Sequence, residues 1–229
     1  MATIDAARQM KSHFPAISSL PWQSALETRE AIAHVRGVAG DAGGDMDLGG
    51  QILIAMPGMG DPRFEHSVVL ICAHSDDGAM GLIINKPVPD LSFESLIDQL
   101  SIAKGEAGRE IRVHQGGPVE RSRGFVLHSR DWQAGGATMQ IAGQYGMTAT
   151  LDILEALANG AGPSSALLAL GYSGWGPGQL EAEISRNDWL TADASAELIF
   201  SPDDGGKWAG ALRRMGIDPV ALSATAGRA

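Results

Sequence analysis

The apolar residues of this chain come in short dense runs, punctuated by glycine, proline and acidic turns. Residues 67–74 (SVVLICAH) form a run long enough for a strand buried on both faces. Residues 51–56 (QILIAM) predict a strand before it, stopped by Pro57 and Gly58. Residues 81–85 (GLIIN) predict a strand after it, ended by Lys86 and Pro87. The intervening SDDGAM is short enough for an antiparallel hairpin, with Asp77-Gly78 supplying the positive backbone dihedrals. Asp61-Pro62 starts a turn, because the residue before a proline is pushed out of the helical region.

Helical spacing takes over at 93–100, where Phe93, Leu96, Ile97 and Leu100 recur behind Ser92 as N-cap. Residues 111–114 and 124–128 predict two strands joined by QGGPVERSR, and 138–142 predicts another. A helix over 150–158 buries Leu151, Leu154 and Leu157 and stops at Gly160 and Pro163. Residues 166–172 (ALLALGY) suit a central strand, and GYSGWGPG reads as a glycine-rich loop leading into a helix over 179–186. Residues 196–200 predict a further strand. Ser201-Pro202-Asp203-Asp204 then has the cap, proline and acids of a helix start, with Trp208, Ala211, Leu212 and Met215 as the apolar face and Gly216 as the end. Asp218-Pro219 opens a last turn of helix. Hairpins early and helices late, without strict βαβ alternation, predict an α/β (α+β) chain with a mixed, mainly antiparallel sheet and helices packed around it. Residues 1–47 differ: Ala, Ser and Gly dominate, VAGDAGGDMD reads as a flexible linker, and 23–35 could hold a short helix. The domain is therefore placed at 48–229, behind an N-terminal arm.

Composition narrows the classes. At 229 residues and 44% hydrophobic content, the chain can bury one large core. No apolar run approaches the roughly 20 residues that span a bilayer, and MATIDAARQMKSHF lacks the apolar stretch of a secretory signal. A cytoplasmic address with no membrane partner is expected. Cys72, the single cysteine, sits inside an apolar run and reads as a small buried hydrophobe. Formal net charge is -10, and the densest basic group, Arg121, Arg123 and Arg130, is interleaved with Glu120 and Asp131. Polyanion binding needs clustered Lys and Arg, so direct nucleic-acid binding is not expected.

Candidate chemistry lies at strand ends and in loops. The chain carries no Walker loop, HExxH, CxxC or EF-hand pattern, so no metal or cofactor is expected. Ser173 in GYSGW stands where a nucleophile elbow would, but the elbow needs GxSxG and Trp175 fills its last glycine site. Gly116 and Gly117 in GGPVERSRG could present backbone N–H groups to an anion; a hairpin turn explains the same glycines. His74 and His128 both end predicted strands. With Asp61 or Asp131 they could ligate a metal or act as a general base, although bonding to loop backbone is the plainer use for such histidines. Asn85 is a further polar strand end. Gln179 and Glu183, four apart, share one helix face, with Leu180 and Ile184 on the buried face and Glu181 elsewhere. That face is either solvated and acidic or, with Trp175 and Trp189 as apolar sides, the wall of a pocket.

Several stretches taken together, LIAMPGMGDPRFEHSVVLICAHSDDGAMGLIINKP, GGPVERSRGFVLH, LGYSGWGPGQLEAEISRNDWLTA and the late KW, resemble the YqgE/AlgH family of bacterial proteins, in order from about Leu48 onward. The resemblance implies a single α/β domain in a cytosolic protein, with a mixed, partly barrel-like sheet flanked by helices. It implies no mechanism: the family's transcriptional-regulator label rests on genetic association, and no catalytic residue is carried over. The chain departs from the family in its longer arm and in ending Gly227-Arg228-Ala229, where many members end Gly-His-Ala. The expected function is a non-catalytic binding or regulatory protein acting through a small-molecule or protein partner. Its candidate residues are Asp61, His74, Asn85, Gly116, Gly117, His128, Trp175, Gln179 and Glu183. The alternatives are a hydrolase-type or metal-dependent enzyme built on His74, His128 and nearby carboxylates, and a transcriptional regulator as in the family label.

Overall fold

The computed structural model describes residues 47–226. Within them, nine strands form one sheet in the order β6-β7-β5-β8-β3-β2-β1-β9, with β4 paired to β8 beside that path. The strands are β1 (Gln51–Ala55), β2 (Val68–Ser75), β3 (Gly78–Ile83), β4 (Val113–Gln115), β5 (Val119–Ser129), β6 (Thr138–Ile141), β7 (Tyr145–Thr148), β8 (Ala166–Trp175) and β9 (Trp189–Asp193). Only β4 runs parallel to its neighbour; the other pairings are antiparallel. The sheet curls into a half-barrel. Its far ends approach closely enough that a Cβ on Gly50, before β1, would lie 2.5 Å from Ala142, after β6.

The curl explains the uninterrupted apolar runs. Ile52, Ile54, Val68, Leu70, Leu82, Phe125 and Leu127 face inward, against α4 (Ala196–Ile199) and α5 (Lys207–Arg214). Their neighbours face outward and are buried as well. Leu53, Val69, Ile71 and Ile83 pack under α3 (Gln179–Ser185), whereas Val126, Leu168 and Leu170 pack under α1 (Phe93–Gln99) and α2 (Leu151–Ala158). A strand covered on both faces needs apolar residues at every position. The β2–β3 register shifts between Ile71 and Ala73, a bulge that turns both Cys72 and Ala73 toward the inner cluster. Ser92 caps α1, its hydroxyl accepting from Ser95 N at 3.0 Å. A sixth helix, α6 (Pro219–Ala226), closes the described chain. No described helix is long and apolar enough to cross a membrane.

Tertiary context overrode several local expectations. QGGPVERSR is not a hairpin turn: β4 and β5 pair with the same residues of β8, Leu168 to Leu170, so they lie on its opposite sides. The chain crosses β8 at Gly116-Gly117, where a Cβ on Gly117 would fall 2.1 Å from the Tyr172 carbonyl carbon. Only glycine lets two backbones approach so closely. GYSGWGPG is not a loop throughout, because β3 supplies ladder partners and carries β8 on to Trp175. Ser173 is buried inside that strand and donates to Gly116 O at 3.4 Å, so no nucleophile elbow forms.

Residues 196–200 are not a strand. Ser195 caps a short helix there, accepting from Leu198 N at 3.3 Å, and the strand is the preceding β9. The following helix begins at Lys207 instead of directly after Ser201, and the Asp203 carboxylate holds the intervening loop by accepting from Gly206 N at 2.9 Å. In the β2–β3 hairpin only Gly78 has a positive φ, +133°, and Asp76-Asp77 form the loop. Strand β7 had no clear signal in the sequence. In α2 Ile153 and Ala158 are buried along with Leu154 and Leu157, while Leu151 is half-buried. Met215, expected on the apolar face of α5, is exposed. The arm over residues 1–46, its helix over 23–35 and the final Gly227-Arg228-Ala229 lie outside the described residues.

Candidate functional site

The turn that starts at Asp61 builds one wall of a cleft. Asp61 caps a single 3-10 turn, Pro62–Phe64, accepting from Arg63 N at 3.0 Å, and the Arg63 guanidinium closes back on both carboxylate oxygens at 2.6–3.0 Å. Those bonds from Arg63 hold the Asp61 carboxyl below its ordinary range, against a smaller opposing effect of burial. Phe64 folds inward, its ring centroid 6.4 Å from Trp175 at 25° and 5.4 Å from Trp189 at 74°. The turn is pinned from behind by the end of β3. Asn85 accepts from Val68 N and donates to His66 O, both at 2.8 Å, and Lys86 Nζ donates to Arg63 O at 2.7 Å.

Helix α3 forms the facing wall. Glu183 Oε2 accepts both indole N–H groups, from Trp175 at 2.8 Å and from Trp189 at 2.9 Å. Its Oε1 accepts the Gln179 amide at 2.9 Å, and Gln179 Oε1 accepts Gly176 N at 3.1 Å. Pro118 and Val119, just past the β8 crossing, close the third side. The recess holds about 420 Å³, with Met59, Arg186 and Asp188 also on its lining. Volumes of this order suit small ligands.

Of the residues singled out from the sequence, Asp61, Trp175, Gln179 and Glu183 line this cleft together. Asn85 supports it from behind. Gly116 and Gly117 stand at the crossing that delivers Pro118 to its edge. The histidines go elsewhere. His74 Nδ1 accepts from Leu48 N at 3.3 Å, so its proton is on Nε2, which meets Glu181 at 2.6 Å. Burial raises the Glu181 carboxyl, but its own backbone N–H and the His74 ring outweigh that and hold it below the usual range. His128 is buried in β5. Its Nδ1 donates to Ser129 O at 2.7 Å, so its Nε2 accepts the Thr148 hydroxyl at 3.0 Å, and Thr138 lies 2.8 Å further along that chain. Burial depresses the basicity of His128, partly offset by Ser129 O and Asp131. Asp131 is bound to Ser129 and Ser164, whose hydrogen bonds lower its carboxyl to about 2. Burial pushes the Cys72 thiol up to about 12. Among the described residues no group of three His, Cys, Asp or Glu side chains is arranged to hold a metal ion.

Sequence reasoning did not single out Arg63 or Arg186 in the cleft, and it missed a second polar cluster altogether. Phe64 had a local signal, a lone large apolar residue in a polar turn. In the second cluster Lys207 is fully buried, donating to Ile84 O at 2.7 Å and Ile199 O at 2.8 Å, with Asp204 Oδ1 2.9 Å away. Asp204 also pairs with Arg112, which reaches Ser201 O and Pro202 O. His114 Nε2 lies 3.0 Å from Asp204 Oδ1 but off the line of a hydrogen bond, so both ring nitrogens are unbonded and the contact is an ion pair only while the ring is protonated. Burial lowers the basicity of His114 and Lys207, opposed in each by Asp204. For Asp204 burial acts upward, but Lys207 and His114 prevail and lower it. The cluster ties the 201–204 loop to β4 and α5. Its one local signal was Asp204 and Lys207 three residues apart.

The family described as AlgH-like (DUF179) matches residues 52–220. A UPF0301 protein of Cereibacter sphaeroides is 71% identical over 184 residues, covering 80% of this chain and 100% of that one. A UPF0301 protein of Ruegeria pomeroyi is 56% identical over 185 residues, with the same coverage. The solution structure of the AlgH protein from Pseudomonas aeruginosa superposes with a TM-score of 0.65 at 38% identity, over 82% of this chain and 100% of that one. A crystal structure of a Corynebacterium diphtheriae protein shares the fold at a TM-score of 0.60 and 22% identity, over 82% and 95% of the two chains.

Proposed function

The chain belongs to the AlgH-like family, and from that premise we propose that it is a non-catalytic binding or regulatory protein of the cytoplasm. It acts through a small-molecule or protein partner taken up between the Asp61 turn and α3. The observation that carries this reading is that each charged side chain of the cleft is engaged by a neighbour on the cleft's own walls, with no acid and base set against each other. Glu183 is held by two indoles and an amide, Asp61 by Arg63, and Asp188 by Arg186. Such a recess is preformed and shaped, with no free pair of groups poised for proton transfer. A hydrolase-type reading would need His74 or His128 to meet a carboxylate inside the cleft, whereas His74 bonds Glu181 outside it and His128 bonds Ser129 and Thr148 within the sheet. A regulatory role would run through the partner, since a chain of net charge -10 is poorly suited to phosphate backbones.

The test is a thermal-shift screen of metabolites, run on the natural chain and on a Phe64→Ala/Gln179→Ala variant. A ligand at a hundred times its Kd adds about 2.7 kcal/mol, roughly 5–10 °C for a chain of this size. Stabilisation lost in the variant supports the reading. A screen and a pull-down with no specific hit, or hits equal in both proteins, would sink it.

A further inference from the structure

The charge balance of the cleft says what kind of ligand it takes. Five charged side chains line the recess: Asp61, Glu183, Asp188, Arg63 and Arg186. Arg63 is closed on Asp61 at 2.6 Å and Arg186 meets Asp188 at 3.0 Å. Glu183 forms no ion pair among the described residues, and its three hydrogen bonds all come from neutral donors. Neutral donors occupy lone pairs without cancelling charge. A carboxylate offers about four lone-pair sites, so one remains.

Two indole N–H edges meet that charge, and two of the rings, Phe64 and Trp175, line the cleft beside it. Phe64 and Trp175 lie nearly parallel at 25°, and Trp189 stands edge-on to both. Ring faces attract cations, most strongly where water is excluded. An anion would meet two guanidinium groups whose charges Asp61 and Asp188 already offset, and would face Glu183 without a counter-charge. The chain's net charge of -10 favours the approach of a cation as well.

We propose that this cleft binds an organic cation, an alkylammonium or guanidinium head on a flat apolar body. The head meets the free lone pair of Glu183, and the body lies against Phe64 and Trp175. This inference rests on the cleft being a binding site and adds the sign of the ligand's charge.

The tryptophans bonded to Glu183 supply the readout. Indole N–H resonances of Trp175 and Trp189 are followed by NMR during titration with 2-phenylethylammonium, its neutral counterpart 2-phenylethanol and the anion 3-phenylpropanoate. The ammonium is expected to move both resonances and to bind about tenfold more tightly than the alcohol. Glu183→Gln keeps an oxygen to accept from the indoles and is expected to bring the ammonium-to-alcohol ratio close to one. Equal or tighter binding of the alcohol or the carboxylate overturns the cation assignment and leaves the cleft as a binding site. Full cation preference in Glu183→Gln overturns it too, as does the absence of any shift with all three probes. The metabolite screen then decides separately whether the cleft binds anything.

Discussion

Glu183 gives two indole N–H groups an acceptor that burial would otherwise deny them, since Trp175 and Trp189 are only 6% and 2% exposed. A buried donor left without a partner costs about 1–3 kcal/mol. Glu183→Ala should therefore cost about 2–5 kcal/mol in urea unfolding, and Glu183→Gln much less, because one amide oxygen still accepts. Equal losses would show that the carboxylate does not organise the tryptophans. Gly146, in β7 towards the other end of the sheet, carries a similar constraint. Its missing Cβ would lie 2.4 Å from His128 Cε1, on a ring fixed by Ser129 O and Thr148. Gly146→Ala should destabilise by about 1–3 kcal/mol, the usual cost of overpacking. Restoration of stability by a second change, His128→Ala, would place the clash where the geometry puts it; no loss from Gly146→Ala would refute it.

At the scale of elements, the chain is held by side chains that reach across long sequence separations. Trp208 of α5 donates to Ala55 O of β1 at 2.8 Å, and the ammonium of Lys207 joins Ile84 O to Ile199 O. These two residues dock α5 into the curl. The carboxylate of Asp204 offsets the buried Lys207 ammonium beside it, so Asp204→Asn should cost about 3–5 kcal/mol, the range for a buried charge left unpaired. Arg186→Ala, which removes an exposed pair with Asp188, should cost less than about 1 kcal/mol. Comparable denaturation midpoints for the two variants would rule out this role for Asp204.

At the scale of the molecule, stability should follow pH in two steps. His114 and His128 are depressed below 6.5 by burial, so the folded chain takes up protons less readily than the unfolded one. Their contribution is whole above pH 6.5 and is lost as pH falls from there through their folded values. Asp61, Asp131 and Asp204 are held below 3.8, so their contribution persists above that pH and disappears on further acidification. A melting temperature that stayed flat from pH 7 to pH 5 would contradict the first step.

Local pattern determined the two-sided burial of β2 and β8, the cap of α1, the lie of α3 and the four-residue pairing of Gln179 with Glu183. Each depends on neighbours in sequence, and strand period or helical spacing reports such neighbours directly. The crossing at Gly116-Gly117, the extension of β8 through GYSGW and the helix at Ala196 depended on which strand or core surface lay alongside. No spacing rule carries that information. The cleft divides in the same way. Gln179, Glu183 and Trp175 could be grouped from the chain alone, being close in sequence, whereas Phe64, Arg63 and Asp61 joined them only when β1 paired with β9 and brought the Asp61 turn against α3. Lys207 and Asp204 meet His114 for the same reason. A buried charge is stable only where distant residues converge to satisfy it, and that convergence is a property of the folded chain.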